Sequence, residues 1–262
     1  RSTGHQTAAQ FGSLRCAPVP VTSNVRLQRM PIAREGAFLV SHDLAEAPSL
    51  GLESANLAAC IQEAKLHPYK SVFGSPSFGF NEVSLDALSE LPELEAVWFW
   101  DVSLKSIEAL YALHALKSFG VHSKRPAIDF SRLRSLQQVV WHYKPTDTGL
   151  GTLNLKRLHI WHCSLKGEGF SGLQLPGTLE ELQLNWASAA TLDGLPTIPS
   201  LRRLEIHQCR NLESLAVLPI LFPRLEHLVV AACGRVAVPD TEWLKARIPS
   251  LRHAYVKDKK VI

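Results

Sequence analysis

Nine stretches of the chain repeat one spacing of apolar residues, and this repeat constrains the fold more than any other feature. The spacing is clearest in LKRLHIWHC (155–163), LRRLEIHQC (201–209) and LEHLVVAAC (225–233). The copies begin at residues 69, 94, 116, 136, 155, 179, 201, 225 and 251. One such copy cannot bury its own leucines, whereas stacked copies bury a continuous core. The chain is therefore predicted to form a solenoid.

The most regular copy, with Leu201, Leu204, Ile206 and Cys209, resembles the leucine-rich repeat signature L-x-x-L-x-L-x-x-N/C. Residues 67–257 resemble this family, and in particular its bacterial internalin-like class with 22-residue copies. The resemblance implies an α/β solenoid, a leucine-rich repeat horseshoe. About nine short parallel strands would line its concave face, with short helical or irregular return segments on the convex face. Four copies depart from the signature at the Asn/Cys position, with Val102, Lys124, Lys144 and Ala187.

Charge supports the alignment of the copies. The second position reads Lys156, Glu180, Arg202, Glu226 and Arg252, so its sign alternates from copy to copy. Stacked parallel strands place equal positions side by side, where opposite charges attract. We therefore expect ion pairs between neighbouring copies.

The segments outside the repeats have separate predictions. Residues 1–29 are predicted to be a disordered extension or tag, with translation beginning at Met30, the single methionine. Residues 30–66 are predicted to form an N-terminal cap with one helix over 54–66. The repeats are expected over 67–257, with a last convex helix at 241–248, and 258–262 form a C-terminal tail. No added catalytic domain is expected.

Composition narrows the class of protein. Hydrophobic residues make up 46% and charged residues 20%, and the net charge of +4 comes from interspersed Lys, Arg, Asp and Glu. Nucleic-acid and membrane partners usually require clustered basic residues, so neither is expected. Five cysteines without a secretory signal predict free thiols and a cytoplasmic protein. A monomer is expected.

The fragment HIWHC (159–163) raises the question of a metal site, a Cys/His catalytic pair or structural packing. Cys163, Cys209 and Cys233 share one repeat position, which favours buried thiols that pack in the core. Side chains alternate along a strand, so the third, fifth and seventh positions face away from that core. These outward positions are predicted to form an exposed partner-binding surface comprising Trp98, Trp100, His122, His142, His159, Trp161, Asn185, His207 and Tyr255.

A metal site is the second interpretation of this surface. His122 and His142 would be neighbours, with His159 close by, but no carboxylate is expected at the same level to orient them. No cofactor is predicted. The sequence also contains no glycine-rich phosphate loop, no G-x-S-x-G and no H-E-x-x-H, so catalysis is not expected.

The function predicted from these features is a non-enzymatic module that binds a protein or peptide on the concave face. The resemblance implies an immunity-type inhibitor or an effector as narrower roles. The alternatives are a metal-binding protein with a histidine cluster, or a structural repeat protein that associates with itself. A histidine-rich contact surface also predicts weaker or altered binding below pH ~6.5, where imidazole becomes charged.

Overall fold

The computed structural model describes residues 32–67, 69–122, 124–165, 167, 169–257 and 259–262. Within these residues, thirteen strands form one sheet in which each strand pairs with the next along the chain. The predictions for residues 1–29, Met30 and Cys16 lie outside the described residues. The strands are β1 (Ile32–Glu35), β2 (Phe38–Ser41), β3 (Ser49–Gly51), β4 (Ser71–Gly74), β5 (Ala96–Phe99), β6 (Ser118–Val121), β7 (Gln138–His142), β8 (Arg157–Trp161), β9 (Glu181–Asn185), β10 (Arg203–His207), β11 (His227–Ala231), β12 (His253–Val256) and β13 (Lys259–Lys260).

Strands β3 to β12 are parallel, and their register confirms the predicted alignment of the copies. The fourth repeat position pairs with itself throughout, as in Val97 with Phe119 and Leu158 with Leu182. The nine predicted copies correspond to β4–β12. Strand β3 is an additional parallel strand. It was not predicted from the sequence, because its three residues do not carry the leucine repeat.

The two ends of the sheet reverse direction. Strands β1 and β2 form an antiparallel hairpin, β2 pairs antiparallel with β3, and β13 pairs antiparallel with β12. The region predicted as an N-terminal cap therefore contains a hairpin besides its helix, α1 (Leu57–Leu66), and the predicted tail contains a short strand. Short strands that fold back cover the edges that a solenoid would otherwise leave open to pairing.

The return segments are short, as predicted. Two contain α-helices, α2 (Leu218–Leu221) and α3 (Thr241–Arg247), and α3 begins at Asp240, whose side chain accepts a hydrogen bond from the Trp243 N–H (2.9 Å). Residues 193–200 carry two prolines and form turns without a helix. The remaining helical pieces are single 3₁₀ segments at Ser54–Asn56, Pro76–Phe78, Asp86–Glu90, Glu108–Ala112, Phe130–Arg132 and Leu150–Thr152.

The leucines of the repeat form one continuous core between the sheet and the return segments. Leu155, Leu158 and Ile160 are fully buried, and the same positions of the other copies are buried with them except for the partly buried Tyr69. Each such side chain contributes about 1.5–3 kcal/mol when it leaves water. Cys163, Cys209 and Cys233 lie in the same core as free thiols, which confirms their predicted packing position.

The predicted ion pairs form at the second repeat position. Lys156 contacts Glu180 (2.6 Å), Arg202 contacts Glu226, and Lys117 contacts Glu95 (2.7 Å). These side chains are largely exposed, so each pair contributes only ~0–1 kcal/mol. They place opposite charges side by side on neighbouring copies, as the alignment of the copies requires.

Candidate functional site

A groove of about 1270 Å³ runs along the outward face of the parallel strands, which makes that face concave. The side chains that line it come mostly from the third, fifth and seventh repeat positions of β4–β10. Second-position residues such as Lys117 and the loop 43–47 between β2 and β3 complete the lining. Its two halves differ in chemistry: β4–β7 present mainly apolar and uncharged polar groups, whereas β8–β10 present charged and amide groups.

On the outward face of β4–β8, the phenylalanine and tryptophan side chains are buried. Trp98, Trp100 and Trp161 are only 6–7% exposed and form a second apolar cluster on the concave face together with Phe73 and Val140. The prediction that these tryptophans are exposed is wrong. The reason is that the rings cover one another, as in the stacked pair Phe73 and Trp100, whose centroids are 5.8 Å apart.

Glycines in neighbouring strands make room for these rings. A Cβ atom at Gly120 would lie 2.8 Å from the Trp98 ring, and one at Gly51 would lie 2.8 Å from the Phe73 ring. Each ring therefore lies flat over the backbone of the adjacent strand instead of projecting into solvent. Gly120 follows Phe73 and Trp98 at the fifth repeat position, and the alternation of side chains alone did not indicate that it makes room for a ring.

We expect Gly120→Ala to destabilise the protein by about 1–3 kcal/mol, because the added methyl group displaces the Trp98 ring. In a Trp98→Val background, the same change should be neutral or stabilising, since alanine is otherwise preferred to glycine in a strand. Gly177→Ala is the matched control, because no atom lies within 4 Å of its added Cβ. Urea denaturation measures all four variants, and an equal cost of Gly120→Ala in both backgrounds would contradict the contact.

The loop between β2 and β3 covers the start of the groove. Leu44 is 3% exposed and belongs to the concave cluster, against which Ala45 also packs. This loop was not identified from the sequence as part of the site, because nothing in SHDLAEA indicates which face of the sheet it crosses.

A group of histidine and tryptophan rings lies at the ends of β6–β9, with His122, His142, Trp161, His162 and Trp186 in contact. The His122 and His142 centroids are 3.7 Å apart, and His142 stacks on Trp161 at 5.6 Å. His162 stacks on Trp186 at 5.5 Å. His162 and Trp186 were not among the predicted site residues. They follow their strands in left-handed backbone conformation (φ 56° and 50°), which turns them onto the rim of the groove.

Burial lowers the pKa of three histidines on this face, His122, His142 and His159. It lowers the pKa of His142 to about 2, helped by the neighbouring charges of His122, His162 and Arg125, and it lowers the pKa of His159 to about 4. The pKa of His122 is also lowered by burial, although Asp101 opposes the effect. The predicted change of charge near pH ~6.5 is therefore wrong for His142 and His159.

The predicted absence of a carboxylate near His122 and His142 is also wrong. The Asp101 carboxylate is 3.2 Å from His122 Nδ1, and the Asp101 backbone N–H donates to that nitrogen (3.0 Å). Within the residues that the structure describes, no group of three or more His, Cys, Asp or Glu side chains is arranged to hold a metal ion.

The second half of the groove is polar and half-buried. Gln183 donates to Asn185 (3.0 Å), and Glu205 contacts both His207 (3.0 Å) and Arg203 (3.4 Å). Burial acts to raise the pKa of Glu205, but the hydrogen bond from His207 and the charges of His207 and Arg203 outweigh it, so this pKa is lowered. Glu205 therefore stays ionised and holds His207 in place.

Beyond the groove, the outward face continues with His227, His253 and the predicted site residue Tyr255. The rings of His227 and His253 are 5.7 Å apart, and His253 lies 4.8 Å from Tyr255. Tyr255 is 36% exposed, the most open of the predicted site residues with an aromatic ring. The structure thus places the nine predicted residues on one face. It divides them among a buried aromatic cluster, the histidine and tryptophan rings at the strand ends, the polar groove and this outer group.

Comparisons with known proteins add little to this description. No protein-family model matches the chain, and no curated protein sequence matches it either. A solved structure similar to this chain is the leucine-rich repeat domain of the type III effector XopL, at 16% identity and a TM-score of 0.37. The match covers 78% of this chain and 66% of that one, just under two thirds of its length.

Two structural facts complete the description of the site. Within the described residues, no helix is long and apolar enough to cross a membrane. Ten parallel strands in chain order, one leucine-lined core and short return segments define the architecture. By fold, the chain is a leucine-rich repeat solenoid.

Proposed function

We propose that this chain is a non-enzymatic protein-binding module whose partner, a protein or peptide, lies in the concave groove. The observation that carries the proposal is the groove itself, about 1270 Å³ in volume and continuous from the loop 43–47 to β10. Solenoids bind their partners through such extended concave surfaces. The proposal includes a monomer without cofactor, nucleic-acid or membrane partner.

The chemistry of the groove supports a protein partner. Interfaces combine an apolar centre with a polar rim that supplies hydrogen bonds. Here the buried tryptophans form an apolar floor, while Arg157, Gln183 and His207 offer polar contacts beside it. The roles of immunity-type inhibitor and effector are narrower forms of the same proposal, and each is defined by the identity of the partner.

We expect Gln183→Arg to remove binding, because the larger charged side chain fills the groove between β8 and β10. The matched control is Ile220→Arg, which places the same residue on α2 of the return face, where Ile220 is 71% exposed. Quantitative mass spectrometry of proteins captured from the native lysate should show a partner retained by wild type and Ile220→Arg and lost with Gln183→Arg. A partner lost with Ile220→Arg and retained with Gln183→Arg would place the interface on the return segments.

A further inference from the structure

Five buried side-chain atoms of the described residues have no hydrogen-bond partner, and all belong to β5–β8 and the turn after β6. Arg125 Nε belongs to the buried ion pair with Asp147, and His142 Nε2 belongs to the group of histidine and tryptophan rings at the strand ends. The other three line the groove, and each is an N–H donor: Trp98 Nε1, Gln138 Nε2 and Trp161 Nε1. Their residues are 6–7% exposed. A buried donor without a partner costs free energy, so native proteins rarely retain several in one place.

The three donors come from nearby strands of the same outward face. Gln138 belongs to β7. The Trp98 ring crosses Gly120 on β6 toward β7, since its nearest atom lies 2.8 Å from a Cβ placed there. The Trp161 ring on β8 lies between His142 (5.6 Å) and Trp186 (5.0 Å). The three donors therefore lie in the part of the groove floor that β5–β8 form.

The charges of the lining residues indicate what kind of acceptor fits. Four cationic side chains (Lys70, Lys117, Arg157 and Arg203) and five anionic ones (Asp43, Glu46, Glu95, Glu181 and Glu205) line the groove. Lys117 is paired with Glu95, and Arg203 with Glu205. A polyanion would meet as many negative as positive groups, so neutral acceptors fit best. Main-chain carbonyl groups are neutral acceptors that recur along an extended peptide.

We propose that the groove holds an extended segment of a partner protein, whose main-chain carbonyl groups accept hydrogen bonds from Trp98, Gln138 and Trp161. The amide side chains of Gln183 and Asn185 continue the same row on β9 and can both donate and accept, as a peptide backbone requires. This inference rests on the proposed function, since it names the partner chemistry of the same groove.

Three substitutions remove a donor while keeping most of the side-chain volume: Trp98→Phe, Gln138→Met and Trp161→Phe. Because each donor is unpaired in the free protein, Gln138→Met should leave Tm unchanged or raise it by about 2–4 °C. A loss of Tm in Gln138→Met would show that the amide is already satisfied and would overturn the inference. The tryptophan variants also lose ring contacts, so their Tm serves only to confirm folding.

The binding probe is a random 12-residue peptide library displayed on phage and selected on the wild-type protein. Dissociation constants of the selected peptides are then measured by fluorescence polarisation. Each donor-deleting variant should weaken binding about fivefold to tenfold, the loss expected for one hydrogen bond. Wild-type affinity in all three variants, with binding lost in Gln183→Arg, would overturn the inference and leave the proposed function intact. Selected peptides that bind Gln183→Arg as tightly as wild type would contradict the proposed function itself.

Discussion

Replacing Asp147 by Asn lowers the free energy of unfolding by about 3–5 kcal/mol, because it leaves the Arg125 guanidinium charged and unpaired in the core. The two side chains are 1% and 0% exposed and form a bidentate pair, with N–O distances of 2.8 and 2.6 Å. Asp147 also accepts from the Ile128 N–H and from Trp141 Nε1, both at 2.8 Å. An asparagine cannot replace all four of these contacts.

The matched control is Glu180→Gln, which removes the exposed ion pair with Lys156 by the same chemical change. We expect it to cost less than about 1 kcal/mol. The double variant Arg125→Met/Asp147→Leu should recover much of the loss, since apolar residues of similar volume often replace a buried pair without cost. Urea denaturation followed by tryptophan fluorescence gives these values. A loss below about 1 kcal/mol for Asp147→Asn would show that the pair contributes little to the free energy of unfolding.

The Arg125–Asp147 pair explains how two copies fold without Asn or Cys at the Asn/Cys position of the repeat. Lys124 and Lys144 occupy that position, and Lys124 points to solvent. The next residue, Arg125, enters the core instead, where it donates to the His142 carbonyl (3.0 Å) as well as to Asp147. The buried ion pair thus satisfies backbone groups at the turn of these copies.

Acidification from pH 6.5 to pH 4 should lower the free energy of unfolding, with His159 contributing up to about 3 kcal/mol. The pKa of His159 falls from its ordinary 6.5 to about 4 in the folded protein because of burial. Between these values the unfolded chain binds a proton that the folded protein excludes, so stability rises with pH across this window. The difference corresponds to about 1.4 kcal/mol for each pH unit. His142 acts in the same direction.

The measurement is a series of urea denaturation curves between pH 7.5 and pH 4. In His159→Gln, stability should depend less steeply on pH over the window from 6.5 to 4. His114→Gln is the control, because His114 is exposed on the return face. The low pKa of Glu205 makes a separate contribution at lower pH, since stability is lost as that carboxylate becomes protonated. Equal slopes in wild type and His159→Gln would contradict the assigned pKa.

The repeat and its register could be predicted from the sequence to the level of single residues. Leu158, Leu182 and Leu204 pair as the alignment requires, and the helix at 54–66 and the last convex helix at 241–248 lie close to α1 and α3. The physical reason is local: a fixed spacing of leucines determines which side of each strand faces the core. The membership in a 22-residue class stays a prediction.

Exposure on the outward face was decided only by the tertiary structure. Alternation places Trp98 on that face, but it contains no information about Gly120, which lies on the next strand and lets the ring lie flat. Leu44 covers the start of the groove from a loop whose path the repeat does not determine. The same limit applies to the candidate site, since the left-handed turns that bring His162 and Trp186 onto the rim follow the end of each strand.

The sequence by itself determined the solenoid, its strand register and the inward cysteines, because each depends on a spacing that recurs along the chain. The tertiary structure decided which outward side chains are buried, which histidines stay neutral and which donors lack partners. These properties depend on contacts between residues far apart in the sequence, such as Arg125 with Asp147 or Trp98 with Gly120. A periodic pattern fixes the direction in which a side chain points, and only its neighbours in space fix whether water reaches it.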